Sequence, residues 1–441
     1  MTDDTRGAPI AESERAGVLD ALRGFALLGI FVSHLPGFSG YEFLPAARQA
    51  ALDPLGIDRG LAALCEFLIR GKFFSLFSLL FGIGFSVQLE SARRRGARFA
   101  RHFTRRLAVL FALGVLHGLI WYGDILRDYA VLGLLLLPTA DWDARKTRHA
   151  AIAWLLARLA WPLLVFAIAA QLVPIAAATS SGDPSNHFFE STRAFASASW
   201  RDAFSANLEL LRLKALQMIY EGKAISILGM FFLGATVGKA RLYVDLASSA
   251  RTLWRAFAWC APIGVLGNLV LVPLHAATPA YPPTLRWVAD EVLFAVAVPA
   301  LTIAYASGFA LLYSGAARAV LRAFAPAGRM ALSTYISQTW IGIWLFYGVG
   351  LGFHETVGQA ACIAIAVAIF FAQSALAACW LRRFRFGPLE WCWRRATYGV
   401  PVPMARAKAH SLAQNGGKDG PRSDNDTSAA SMSDLFRGRI P

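Results

Sequence analysis

Asp20, Arg23 and His34 share one apolar stretch, LDALRGFALLGIFVSHLPGF, running from Leu19 to Phe38. At 100° per residue, Asp20 and Arg23 are helical neighbours. Arg23 and His34 are eleven positions apart and return to within about 20° of one direction. Their axial separation is roughly 16 Å, about half of a ~30 Å hydrocarbon core. A histidine held inside a membrane can act as general base, carry an acyl group, or simply bond to a neighbouring helix. An ionisable group there is costly enough that His34 is the first candidate for catalysis, with Asp20 or a carboxylate from elsewhere to orient it. The plainer reading of Asp20 and Arg23 is a snorkelling ion pair.

Other polar groups sit in comparable places. In GVLHGLIWYGDILRDYAVLG, His117, Trp121, Asp124 and Asp128 follow a 4-3-4 spacing, and Gly123 marks a possible turn between two spans. Asp124 is the second candidate catalytic group, as orienter of an imidazole or a further acid or base. His117, Lys72 in LIRGKFFSLFSLLFGIGF, Lys223 beside Glu221, and Ser337 and Gln338 in PAGRMALSTYISQTWIGIW are candidates for lining a polar cavity. Gln373 could face the last pair. Ser and Thr also back-bond within helices, and Lys72 also suits an interfacial anchor.

The elements that position these groups are apolar helices. The chain has 441 residues, 56% hydrophobic and 16% charged, the composition of an integral membrane protein. Ten segments are candidate spans: 18–38, 67–89, 105–122, 125–140, 150–176, 222–241, 253–275, 289–313, 330–351 and 357–381. The expected fold is therefore an all-α polytopic bundle of about ten transmembrane helices.

The net charge of +15 lies in clusters flanking those segments. ESARRRGARFARHFTRR alone holds seven arginines, and the connections on its side repeat the bias. The positive-inside rule places that side, with both termini, in the cytoplasm. No nucleic-acid-binding motif accompanies the charge. The five cysteines form no CxxC pair, and no metal site is expected.

Residues 1–17 read as a cytoplasmic segment, 18–401 as one transmembrane domain, and 402–441 as a disordered tail rich in Ser, Asp, Asn and Gly. Two long loops on the outer side, 36–66 and 179–214, mix aromatic and polar residues such as Tyr41, Phe188, Phe189 and Trp200, which suits interfacial helices. GKFFS at Gly71 and GKAIS at Gly222 echo one another, by duplication or by chance.

LDALRGFALLGIF, GKFFSLFSLLFGIGF, RRLAVLFALGVLHGLIWYGDILRDYAVLG, GRMALSTYISQTWIGIWLF and RFRFGPLEWCWRRATY, in this order, resemble the bacterial YeiB-like family, domain of unknown function 418, over nearly the whole chain. That family looks like a member of a wider transmembrane acyltransferase superfamily, with the O-acyltransferases of acyltransferase family three and the heparan-alpha-glucosaminide N-acetyltransferases. In the O-acyltransferases an LxxLR motif followed by a His at the end of the first span is linked to acetyl transfer. Leu22, Arg23 and, ten residues on, His34 match that spacing, where YeiB-like relatives more often carry Asn.

The resemblance implies an inner-membrane acyltransferase in a bacterium. Acyl-CoA, with acetyl-CoA the type case, would enter from the cytosol toward Arg23, Arg105, Arg106 and Arg329, and the acceptor would be an envelope glycan, lipid or small molecule near the outer side. A transporter for a small metabolite is the alternative, and a non-catalytic lipid- or partner-binding membrane protein a third. Beyond the bilayer and an acceptor, nucleic acid is not expected as a partner, and oligomerisation stays open.

Overall fold

The computed structural model describes residues 17–177, 192–279, 283–399 and 402–406. The N-terminal segment, most of the tail, and Phe188 and Phe189 lie outside the described residues. Those described form α-helices α1 (Gly17–Phe38), α2 (Ala46–Ala51), α3 (Asp58–Leu68), α4 (Lys72–Arg94), α5 (Phe99–Gly118), α6 (Leu126–Gly133), α7 (Ala144–Ala177) and α8 (Trp200–Tyr220). There follow α9 (Lys223–Lys239), α10 (Leu246–Ala276), α11 (Leu285–Ser314), α12 (Arg318–Leu321), α13 (Ala325–Arg329), α14 (Ala331–Phe346), α15 (Gln359–Arg383) and α16 (Pro388–Tyr398). Among the described residues there is no strand beyond one isolated bridge between Phe384 and Ala405. The all-α membrane bundle is as expected.

Fewer than ten of the described helices have the length and apolarity of a span. Among the described residues, six helices are long and apolar enough to cross a membrane, or seven if the bent pair α8 and α9 is one span. The expected span 105–122 falls in α5, which is long enough but opens with Arg101, Arg105 and Arg106; two further differences are geometric. The expected span 125–140 is an eight-residue helix followed by a six-residue 3-10 turn, Leu134–Thr139, which together rise only about 24 Å. α14 stops after 16 residues, again about 24 Å against a ~30 Å core. Apolar composition continued through these breaks where the helix did not.

α1 stands at the centre, packed against α4, α13, α14 and α15. Of its apolar window 61% is buried, against 17% for the peripheral α7 and α10, so α1 turns most of its surface to protein. Its polar stripe therefore meets other helices, not lipid. A Cβ on Gly24 would fall 1.9 Å from the carbonyl oxygen of Phe324, and one on Gly328 would fall 1.8 Å from that of Asp20. Only glycine lets the two backbones approach so closely.

The echoed Gly-Lys pairs have one local cause. Gly71 (φ 79°) and Gly222 (φ 62°) both take the left-handed conformation immediately before α4 and α9, which favours glycine because it lacks a Cβ. Across the α4–α9 contact, Gly82 lies against Phe231 O and Gly234 against Leu79 O. α8 meets α9 at 67° across a break of two residues. Ser199, Asp245 and Thr284 cap α8, α10 and α11 with their own side chains. Two other helix starts are capped from a distance. Asp58 of α3 accepts from Gln359 N and Ala360 N at 2.7 and 2.9 Å, and Glu390 of α16 accepts from Leu332 N and Ser333 N at 2.6 and 3.0 Å.

Candidate functional site: two cavities along one helix

Two cavities lie along α1. The first, at the arginine-rich end, has a volume of about 260 Å³, and Asp20, Arg23, Arg106, Arg329, Glu390 and Trp393 are among its lining residues. Arg23 donates to Asp20 Oδ1 at 2.8 Å and to Gly328 O at 3.2 Å. Arg106 stacks over Trp393, its guanidinium carbon 3.6 Å from the ring centre, and Trp393 Nε1 donates to Arg106 O at 3.0 Å. α16 thus forms one wall, held by the Glu390 cap on α14. Arg105 does not line this cavity; it lies beside Gly399.

The second cavity, at the other end of α1, is larger, about 960 Å³. Ser33, His34, Glu42, Trp121, Asp124, Lys214, Arg158, Lys223 and Glu291 are among its lining residues. His34 is partly buried, its ring centre 6.0 Å from Trp121 and 6.4 Å from Tyr335. Its ring nitrogens make no hydrogen bond to any described residue and are available to a molecule in the cavity.

Between the cavities is an apolar waist. Ile30, Phe77, Ile125 and Tyr129 line both spaces. The Tyr129 hydroxyl is fixed by Ser78 Oγ at 2.6 Å and Phe74 O at 2.9 Å, which locks the ring in place. These four side chains are the partition shared by the two cavities, and they stand beside α1 between Arg23 and His34.

Asp124 is buried and spent on structure. Its Oδ1 lies 2.7 Å from His117 Nδ1, and its Oδ2 accepts from Arg127 N at 3.1 Å. His117 Nε2 lies 2.9 Å from Thr339 Oγ1, joining α5 to α14. His117 and His34 sit on either side of Tyr335, whose ring is 5.2 and 6.4 Å from them. The 4-3-4 spacing is broken by a turn, for α5 ends at Gly118 and α6 begins at Leu126. Gly123 is needed there, since a Cβ would fall 2.2 Å from Trp121 Nε1.

The remaining candidates separate. Asp20 is fourteen residues from His34 along α1, about 21 Å, and belongs to the first cavity. Lys223 lines the second, paired to Glu221 at 2.7 Å. Lys72 is buried with its ammonium donating to Glu66 O at 2.8 Å, and lines neither cavity. Gln338 Nε2 donates to Gln373 Oε1 at 3.2 Å, and Gln373 Nε2 to Ser337 Oγ at 2.8 Å. That amide network glues α14 to α15, outside both cavities.

Four charged lining residues escaped the sequence reading: Glu42, Lys214, Arg158 and Glu291. Arg158, midway along an apolar helix and bonded to Glu291, carried a readable signal, a charge inside a span. Lys214 and Glu42 carried none, because they lie in segments whose composition reads as polar loop although they fold into α8 and a short 3-10 turn. The Glu42 carboxyl faces the walled cavity rather than open water. Burial pushes its pKa up to about 7, against the pull of Lys214 and Arg70.

A family model described as a protein of unknown function (DUF418) matches residues 237–400. Uncharacterized protein YxaH of Bacillus subtilis (strain 168) is 31% identical over 413 residues, covering 90% of this chain and 98% of the relative. Uncharacterized protein YeiB of Escherichia coli (strain K12) is 29% identical over 400 residues, with 88% and 98% covered. An uncharacterized 39.9 kDa protein in the amylase 3' region of Bacillus acidopullulyticus is 29% identical over 414 residues, with 91% and 99% covered. No solved structure matches. Since the likeness to YxaH runs through nearly the whole of both proteins, and the family model falls on the stretch that builds α10 to α16, this multi-pass membrane chain belongs to the YeiB-like DUF418 family.

Proposed function

We propose that the chain is an acyltransferase of the bacterial inner membrane, carrying an acetyl or other acyl group from acyl-CoA to an acceptor in the cavity of His34. The observation that supports this reading is the pair of cavities meeting at the Ile30, Phe77, Ile125 and Tyr129 waist, with arginines at one end and a free imidazole at the other. With the arginine-rich end cytoplasmic, Arg23, Arg106 and Arg329 would hold the phosphates of the donor. The acyl thioester would reach through the waist.

The chemistry requires one base. His34 takes the proton of the acceptor hydroxyl or amine as that atom bonds to the thioester carbonyl carbon. The resulting tetrahedral centre collapses with cleavage of the carbon–sulfur bond. The imidazolium then returns its proton to the departing thiolate, so His34 ends as it began. The acceptor is an envelope glycan, a lipid or a small molecule.

Purified protein in detergent tests this. It should bind CoA and release free thiol from acetyl-CoA when acceptor is supplied, and His34→Ala should bind CoA but release none. Wild-type protein that neither binds CoA nor consumes acetyl-CoA overturns the proposal. Substrate uptake into vesicles by that same protein would instead assign the path to transport.

A further inference from the structure

The charges around the second cavity cancel in pairs, with two exceptions. Asp128 is met by Arg127 at 3.0 Å, Glu221 by Lys223 at 2.7 Å, and Glu291 by Arg158. Arg70, also on the wall, is met by Glu66 at 2.6 Å, and Asp124 is bonded to His117 and Arg127 N. The exceptions are Lys214 and Glu42, which line the cavity and form no ion pair with any described residue, including each other. The Lys214 ammonium stands 5.7 Å over the Tyr122 ring.

Lys214 is held there by construction. Seven residues earlier on α8, and therefore on the same face, Asn207 Oδ1 accepts from Tyr122 N at 3.0 Å and Asn207 Nδ2 donates to Ile120 O at 2.8 Å. These bonds pin α8 over the turn between α5 and α6. A second unfilled donor lies in the wall of the same cavity. Arg158 is 2% exposed, lines the cavity, and has no partner for Nη1 among the described residues. Arg158 has its counter-charge in Glu291 and lacks only a partner for Nη1, whereas Lys214 has no counter-charge, a cost that a bound anion removes.

We propose that the acceptor carries a phosphate ester, held by Lys214, with the Arg158 wall as a secondary contact. This rests on reading the cavity of His34 as the acceptor site. The phosphate lies against Lys214 while the hydroxyl or amine to be acylated turns toward His34. Glu42, whose carboxyl pKa is raised to about 7 by the low-dielectric cavity walls around it, can donate a hydrogen bond to the same molecule without repelling it. Facing aromatic rings, among them Trp121, Tyr122 and Phe294, give the rest of the acceptor a flat apolar surface. The ester can belong to a lipid headgroup or to a free sugar phosphate.

Equilibrium binding separates the sources and tests the anchor without any need for turnover. Glucose 1-phosphate and glucose are titrated against the full chain in zwitterionic detergent. In parallel, the thermal midpoint is compared in nanodiscs of phosphatidylglycerol and of digalactosyldiacylglycerol, a bilayer lipid without phosphate. Glucose 1-phosphate binding at least tenfold more tightly than glucose, or a higher midpoint confined to phosphatidylglycerol, supports the proposal and names the source. Lys214→Ala should remove the preference while keeping the melting temperature and CoA binding, Lys214→Arg should restore most of it, and His34→Ala should leave it intact. Equal affinity for phosphorylated and neutral probes with equal midpoints in both lipids, or a preference unchanged in Lys214→Ala, overturns it. Phosphate selectivity through Lys214 in a protein that never consumes acetyl-CoA would sink the acyltransferase reading alone. Acetyl transfer to neutral acceptors, indifferent to Lys214, would sink only the phosphate proposal.

Discussion

Asp124 is bonded to His117 and not to His34: its Oδ1 sits 2.7 Å from His117 Nδ1, while the His34 nitrogens have no described partner. The two histidines flank Tyr335 but serve different ends. His117 is a strut between α5 and α14, tied at both ring nitrogens. His34 is left to the cavity.

The two should therefore respond differently to mutation. His34→Ala should lower acyl transfer by about 10²–10⁴-fold, the usual contribution of a positioned general base, with a change in stability within about 0.5 kcal/mol. Asp124→Ala orphans both His117 Nδ1 and Arg127 N and should cost about 1–3 kcal/mol for each buried group left unpaired. Thermal denaturation in detergent, run beside a thiol-release assay, distinguishes the two patterns.

The waist offers a second handle. Ile125→Trp fills the space where the cavities meet. CoA should still bind at the arginine-rich end, measured by calorimetry, while transfer falls by at least tenfold. Unchanged transfer would show that the acyl group takes another route.

The approach of α1 to the segment before α14 predicts a folding defect. A Cβ on Gly24 would fall 1.9 Å from Phe324 O, whereas the nearest atom to one on Gly84 is 3.9 Å away. Gly24→Val should cost at least the ~1–3 kcal/mol typical of overpacking. Gly84→Ala should be tolerated. Monodisperse yield on size exclusion is the measurement.

Glu42 gives the pH dependence its sign. Burial raises its folded pKa from the ordinary 4.5 to about 7, so between those values the folded protein holds a proton that the unfolded chain has released. Its contribution to stability is fully present below about pH 4.5 and is lost as pH rises through about 7. Glu42→Gln, neutral throughout, should flatten that slope, most visibly as a higher melting temperature than wild type at pH 8. Parallel melting curves from pH 5 to 8 would remove Glu42 as the source.

Composition and local patterning made the membrane class legible, because burying apolar helices in lipid imposes long apolar runs on the chain itself. The same holds for the polar stripe of α1, since helical periodicity alone aligns Arg23 with His34. The Ser199, Asp245 and Thr284 caps are local too. The span count was less legible, because apolar composition does not register where a helix stops, as at Gly133 and Phe346.

Only the tertiary structure decided which polar groups meet. Asp58 and Glu390 cap helices about 300 and 60 residues away in sequence, and Asp124 closes on His117 through a turn that helical spacing cannot describe. Lys214 reaches the cavity because Asn207 pins α8 to a different part of the chain. Such contacts depend on the packing of several helices at once. Periodicity assigns a residue to a face, but the neighbour across that face is set by how the whole bundle fills its volume.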